Sequence, residues 1–449
     1  MVNELQDLMR QNVAAPPPDD LDLTALVGAG RRRVRRRRIG GAVGGAALSV
    51  AAVATVIALT TGGAPSTTDD IDPAGPPPRP DAPTLTLSDA VPAVAGEDYT
   101  ELASYTNDNL NRDNGQYLDG VTEDGLILFR DGPRSGQLYP RFALMEPATG
   151  EKDWLPRLRI GQTQTWPVSL TADRLVLLAS DLSRNGDGAM LAYVFDRDDR
   201  EWTEMRWPGL PQVDFPRGSV GPDGRLYTLV PNTQGQPPEG GWPTGPDGEA
   251  DDANAEGDTY RLWSLSLSDP SDARDEDLTL GELAFTDSAM VWTDATNGAA
   301  GKVHVRDLAS GEETSFDPES GEKCNLLSFG ATDERVVMSQ YCGTYAQGVR
   351  DDRVQILTTD GEQVATVQAS DVSGWLPAGS DVVNVAVYRR NQSGGTFAYD
   401  LATDKLWRIS DELSSYGLGG PVGGDRQLMW HTPVNGGKGA TQHVGSLSD

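Results

Sequence analysis

The chain has 449 residues, and its 67 acids against 37 bases give a net charge of −30. That length permits a large core, in one big domain or two ordinary ones, while the acidic balance excludes an electrostatic grip on nucleic acid by the bulk of the protein. Gly and Pro, 51 and 30 residues, mark a turn-rich chain that stays short of general disorder.

Residues 1–38 run against the overall charge, with eight Arg and five acids. Leu5, Leu8, Met9 and Val13 form one stripe of a short helix that ends before Pro16-Pro17-Pro18. Asp20 or Asp22 suits the cap of a second helix carrying Leu23, Leu26 and Val27 up to Gly28. Neither piece makes a core alone, so the head is expected to be disordered or to fold on a cytoplasmic partner. It holds no His and no Cys, which removes a zinc-binding head of the anti-sigma type.

Residues 39–61 contain no charged side chain. As a helix they extend roughly 35 Å, enough to cross a hydrocarbon core of about 30 Å. Arg31, Arg32, Arg33, Arg35, Arg36, Arg37 and Arg38 stand immediately before this span, and no basic residue follows until Arg79. The positive-inside rule then places the N-terminus in the cytoplasm and the bulk of the chain outside, as a type II single-pass protein of the cell membrane. A cleaved leader fits less well, since its best site, Gly62-Gly63-Ala64, runs straight into Pro65. Residues 62–83 are rich in Pro with Thr, Ser and Asp, and read as an extended extracytoplasmic stalk.

The head sequence NELQDLMRQNVAAPPPDDLDLTALVGAGRRRVRRRR resembles the cytoplasmic tail of actinobacterial single-pass membrane proteins with WD40/TolB-like propeller ectodomains. The likeness is close over about 38 residues and elsewhere one of architecture. Some of those proteins are encoded beside extracytoplasmic-function sigma factors, so the resemblance implies a possible regulatory partner for the head. It brings no catalytic residues.

From residue 84 onward the sequence repeats. A turn containing Asp precedes a short apolar strand at Asp124, Asp173, Asp223, Asp287, Asp333, Asp381 and Asp425. A second strand follows each turn unit and closes on an acid-plus-turn signature, as in FALMEPATGE, LAYVFDRDDRE and VHVRDLASGE. A third strand follows in most units, for example at Lys152, Trp202 and Leu406. Seven such units predict an all-β, seven-bladed β-propeller over 84–449. One long interval holds an acidic insertion, 231–258, expected as a loop on the disc. The last unit lacks room for an outer strand, so ring closure should draw on the start of the domain. Thr84-Leu-Thr-Leu-Ser is favoured there by its alternation over the stretch from Tyr99 to Tyr105.

Candidate chemistry is sparse. Asp252-x-Asn254-x-Glu256-Gly257 and Asp181-x-Ser183-x-Asn185-Gly186 echo the start of a calcium loop, but position twelve falls on Trp263 and Ala192 instead of Glu. Calcium is therefore a weak candidate, and no other cofactor is expected. His304, His431 and His443 are not spaced as metal ligands; His304 and His443 occupy matching repeat positions, which points to packing. Carboxylates abound, yet neither a Ser-x-Asp-x-Gly-x-x-Trp box nor Gly-x-Ser-x-Gly is found. Trp292 and Trp430 sit at core positions of their repeats, leaving Trp242 in the acidic insertion as the candidate ligand contact. Cys324 and Cys342 flank a hairpin symmetrically about Asp333 and are expected to form a disulfide in an oxidising compartment.

The expected function is non-catalytic: a membrane-anchored sensor, scaffold or binding module for an extracytoplasmic protein or glycan. A regulator whose head docks on a sigma factor or another cytoplasmic partner is the alternative, and a propeller hydrolase the second.

Overall fold

The computed structural model describes residues 82–107, 116–132, 140–158, 165–181, 189–213, 217–233, 257–296, 300–320, 324–344, 350–387, 395–412 and 426–448. The head, the 39–61 segment and most of the stalk lie outside these residues, as does Asp425. Among the described residues no helix is long and apolar enough to cross a membrane.

Among the described residues twenty-nine strands form seven sheets; four sheets are consecutive stretches of chain, and the other three each take one strand from the start of the domain. Blade one comprises Gln116–Val121, Ile127–Asp131, Arg141–Met145 and Lys152–Trp154; blade two comprises Thr165–Leu170, Arg174–Asp181, Ala189–Asp196 and Glu201–Met205. Blade three runs Gly218–Val220, Leu226–Thr233, Thr259–Leu265 and Ala273–Leu280, and blade four Leu283–Phe285, Ala289–Thr293, Val303–Asp307 and Glu313–Phe316. Blade five is Asn325–Ala331, Arg335–Thr344, Arg350–Thr358 and Gln363–Gln368, and blade six Val372–Trp375, Val382–Val387, Thr396–Asp400 and Lys405–Ser410. Blade seven joins Gln427–Val434 and Gly439–Leu447 to Tyr99–Asn107.

The second strand of each blade has a buried, mainly apolar stretch because both of its faces are covered. Leu175, Leu177 and Ala179 pack toward blade one, while Val176 and Leu178, on the other face of the same strand, pack toward blade three. The pattern recurs around the ring. Seven apolar clusters lie at the seven blade junctions, the last of them uniting Ile127, Phe129 and Met145 of blade one with Met429 and Val444 of blade seven. An all-β, seven-bladed propeller with a closed ring results.

Ring closure departs from the expectation. Thr84–Leu85 does not complete blade seven; it adds in parallel to the outer strand of blade five, pairing with Thr366 and Val367. Val91–Pro92 adds in parallel to the outer strand of blade six, at Trp407 and Arg408. The closing strand is Tyr99–Asn107, antiparallel to Gly439–Leu447 over eight residue pairs. Length decides the matter: Thr-Leu alternation marks a strand with one apolar edge, but only the nine-residue segment spans the blade. The acidic insertion is also shorter than expected, since Pro231, Asn232 and Thr233 continue a strand and Asp258 bridges to Thr296.

Candidate functional site

Antiparallel blades divide their connections between two faces. On one face lie the turns from first to second and from third to fourth strand; on the other lie the hairpins joining second to third strands and the links between blades.

The first face is built for structure. In five blades a hydroxyl starts the turn and accepts the next strand's first amides: Leu126 N–H to Thr122 Oγ1 (2.9 Å), Arg174 to Thr171 (3.1 Å), Ala289 to Thr286 (2.8 Å), Arg335 to Thr332 (3.1 Å) and Val382 to Ser380 (3.0 Å). These are side-chain-to-backbone turns of the kind Ser and Thr favour. Two of the repeated turn Asp, and an Asp that ends a third strand, then tie a blade to its neighbour. Arg197 of blade two donates both terminal nitrogens to Asp124 of blade one at 2.7 Å. Ser288 of blade four donates to Asp333 of blade five at 2.8 Å. Arg426 of blade seven forks onto Asp400 of blade six at 2.7 and 2.8 Å. The Arg197 fork pulls Asp124 down to about 2. Hydrogen bonds from Thr286 and Ser288 hold Asp333 below the usual carboxylate range. Burial pushes Asp400 up, but Arg426 and Thr403 outweigh it and the net shift is downward.

The opposite face carries the longer connections, among them the one between Thr233 and Thr259. Two of the polar clusters on its described floor lie near these connections. In blade one, Arg130 is fully buried on the strand face it shares with Leu128, and it grips Asp119 through Nε and Nη2 while its Nη1 donates to the Gly132 carbonyl at 3.0 Å. The Tyr117 ring lies 4.3 Å from the guanidinium. Beside it, the Gln116 amide donates to Asp131 at 2.9 Å and accepts from the Tyr105 hydroxyl, and Gln442 of blade seven accepts the Leu118 N–H at 2.6 Å. Arg130 is neutralised by a bidentate carboxylate, so this cluster supplies hydrogen bonds and shape rather than a free base. At the base of the insertion, Arg217 donates to Glu282 at 2.9 Å, and Thr296 donates to the same oxygen at 3.3 Å. Glu282 in turn raises the Arg217 guanidinium above its ordinary range.

The three histidines are engaged. His304 stacks on Trp292 at 5.1 Å and His443 on Trp430 at 4.9 Å, directly across paired strands in each case. His304 Nε2 lies 2.7 Å from Asp294, and His443 Nδ1 lies 2.9 Å from Glu101. The matching positions therefore do a matching packing job, and Trp292 and Trp430 are core residues at 2% and 3% exposure. Buried His431 holds its own partner. Among the described residues no group of three His, Cys, Asp or Glu is arranged to hold a metal. Trp242, Arg31, Arg32, Arg33, Arg35, Arg36, Arg37 and Arg38 fall outside the described residues, as do the calcium-like segments apart from Gly257 and the backbone of Asp181. Cys324 is buried, and the pairing of Asn325 with Tyr341 sets positions 324 and 342 across from each other; the Cys342 side chain is outside the described set. Sequence reasoning missed both polar clusters and the turn hydroxyls. The hydroxyls had a readable signal, a Thr or Ser one or two residues before five of the seven turn Asp.

No family model matches the chain, and no curated protein matches it. Solved structures do. An oligogalacturonate lyase in complex with manganese aligns at 13% identity and a TM-score of 0.46, over 79% of this chain and 99% of that one. TolB from Acinetobacter baumannii aligns at 14% and 0.32, over 56% of each chain. A structure from a study of two prolyl endopeptidases aligns at 14% and 0.39, over 66% of this chain but only 41% of its own. The chain thus spans less than two thirds of the endopeptidase and of TolB, and the likeness is one of fold alone.

Proposed function

We propose that the protein is a membrane-anchored extracytoplasmic propeller that binds its ligand without catalysis, through the face carrying the longer connections. The observation that supports this reading is the contrast between faces. One is closed by short turns whose Asp and Arg side chains are consumed in ties between blades. The other projects long connections from a rigid ring, the arrangement by which scaffolds present binding loops. The acidic insertion with Trp242 supplies the contact in this reading, and an extracytoplasmic protein or glycan is the partner. Anchoring rests on the uncharged 39–61 segment behind Arg31–Arg38. A Cys324–Cys342 bridge completes the domain, supported by the strand register and by the lack of a free cysteine among the described residues.

The test replaces residues 234–256 of the full chain by a Gly-Ser linker and compares capture of envelope proteins and glycans with the unaltered protein. Loss of a specific ligand supports the reading. Unchanged capture removes the insertion from it. Turnover of a peptide or glycan substrate by the unaltered protein would establish the hydrolase alternative.

A further inference from the structure

The outer rim between blades five and six is filled by a segment that belongs to neither. Residues 84–92 run across it, and Leu85, Leu87 and Ala90 pack on the apolar cluster that the two blades share. This segment carries its own shape. The Thr86 N–H and hydroxyl donate to Asp89 Oδ2 at 2.7 and 2.9 Å, and the Asp89 N–H returns to the Thr86 carbonyl at 3.0 Å. That closed turn makes the step from one blade edge to the next.

Its hold on the ring is slight by comparison. Two residue pairs join it to blade five and two to blade six, with single bonds from the Thr366 N–H to the Pro83 carbonyl and from the Ala93 N–H to the Arg408 carbonyl at either end. A turn over Val94–Asp98 then leads into the closing strand, and its Gly96 has φ of 84° with open space around it. Beside this turn Val91 and Val94 are 42% and 48% exposed, two of the four large apolar side chains exposed among the described residues.

We propose that residues 84–92 are an exchangeable strand, and that the rim groove takes the same segment from a second copy of this chain. The occupant seen in place defines what the groove fits: a parallel segment with apolar residues at 85, 87 and 90 and an internal Thr86–Asp89 turn. Contacts made within one chain and between two are the same, so exchange alters only the 93–98 turn and the entropy of association. Two exchanged segments pass each other at that turn, where Val91 and Val94 stand exposed and become covered. The inference is independent of what the face with the longer connections binds.

Disulfide trapping in the full chain tests it. Thr84 pairs with Thr366, so Thr84→Cys in one tagged chain and Thr366→Cys in a differently tagged chain report exchange when the two are co-expressed. A mixed dimer carrying both tags and removed by reductant is expected. Thr203→Cys, on the exposed outer strand of blade two, replaces Thr366→Cys as the remote control and should give no mixed dimer. A single chain with both Thr84→Cys and Thr366→Cys should close internally, showing that the pair can bridge. Internal closure without mixed dimer overturns the proposal, and so does equal trapping at Thr203. If either variant misfolds, Leu85→Cys with Val367→Cys is the second pair on the same groove.

Discussion

Removing Tyr99–Asn107 should cost the propeller its cooperative fold, whereas removing 84–92 should not. The closing strand makes eight cross-strand pairs with Gly439–Leu447. At about 1 kcal/mol net per backbone hydrogen bond, these are worth about 8 kcal/mol. Two edge-to-face ring contacts go with them, Tyr105 on Phe129 at 5.1 Å and Tyr99 on Trp430 at 5.7 Å, adding about 1 kcal/mol each. The total of about 10 kcal/mol is comparable to the whole stability of an ordinary domain, about 5–15 kcal/mol. The 84–92 segment makes four pairs, and Pro92 brings no N–H to one of them. Its loss should cost about 3 kcal/mol in hydrogen bonds and about 2–3 kcal/mol for the partly buried Leu85 and Leu87, still well short of the closing strand. Thermal unfolding of the full chain followed by near-ultraviolet circular dichroism discriminates the two deletions. A sharp transition lowered by a few degrees is expected without 84–92, and no transition without 99–107. Equal melting temperatures for the two variants would refute the assignment of the closing strand.

Leu177→Ala, at a fully buried site between blades one and two, should cost about 2–5 kcal/mol, read as a lowered denaturant midpoint. Gly281→Ala should destabilise as strongly, because a Cβ there would overlap the Ala295 backbone, which has no free end to swing away; tolerance without a shift in melting would contradict the packing. Asp124 is held at about 2 by Arg197. A carboxylate depressed by folding contributes stability above its unfolded value of about 3.9 and loses it as pH falls through the folded one. Asp124→Asn should thus melt lower at pH 7, by about 1 kcal/mol or less since the pair is partly solvated. The difference should shrink toward pH 2 and vanish below it, and an undiminished difference there would count against the ion pair.

The second, third and most fourth strands were legible in the sequence because each is long, doubly or singly covered, and punctuated by an Asp turn. Most innermost strands were not, although that of blade five, Asn325–Ala331, was read as one arm of the hairpin flanked by the cysteines. Gly218–Val220 and Leu283–Phe285 are three residues each, and Thr165–Leu170 contains Pro167, so none shows a period. The outer strand of blade three, Ala273–Leu280, escaped for another reason: Arg274, Asp275, Glu276 and Asp277 make it the charged edge that exposed sheets use against aggregation. The Asp119–Arg130 pair left no local trace, since its two residues lie on different strands and only the fold brings them together.

Closure by Tyr99–Asn107 also sets an order of events. A chain emerging from a ribosome or a translocon displays this strand long before its partner, Gly439–Leu447, has been made. Until then its edge stays open and the junction of blades seven and one has no second wall. Any product that stops before residue 439 keeps that defect for good, with sticky strand edges that proteases and chaperones recognise. The early strand therefore acts as a proofreader of completeness: only a chain read through to its last blade can seal itself.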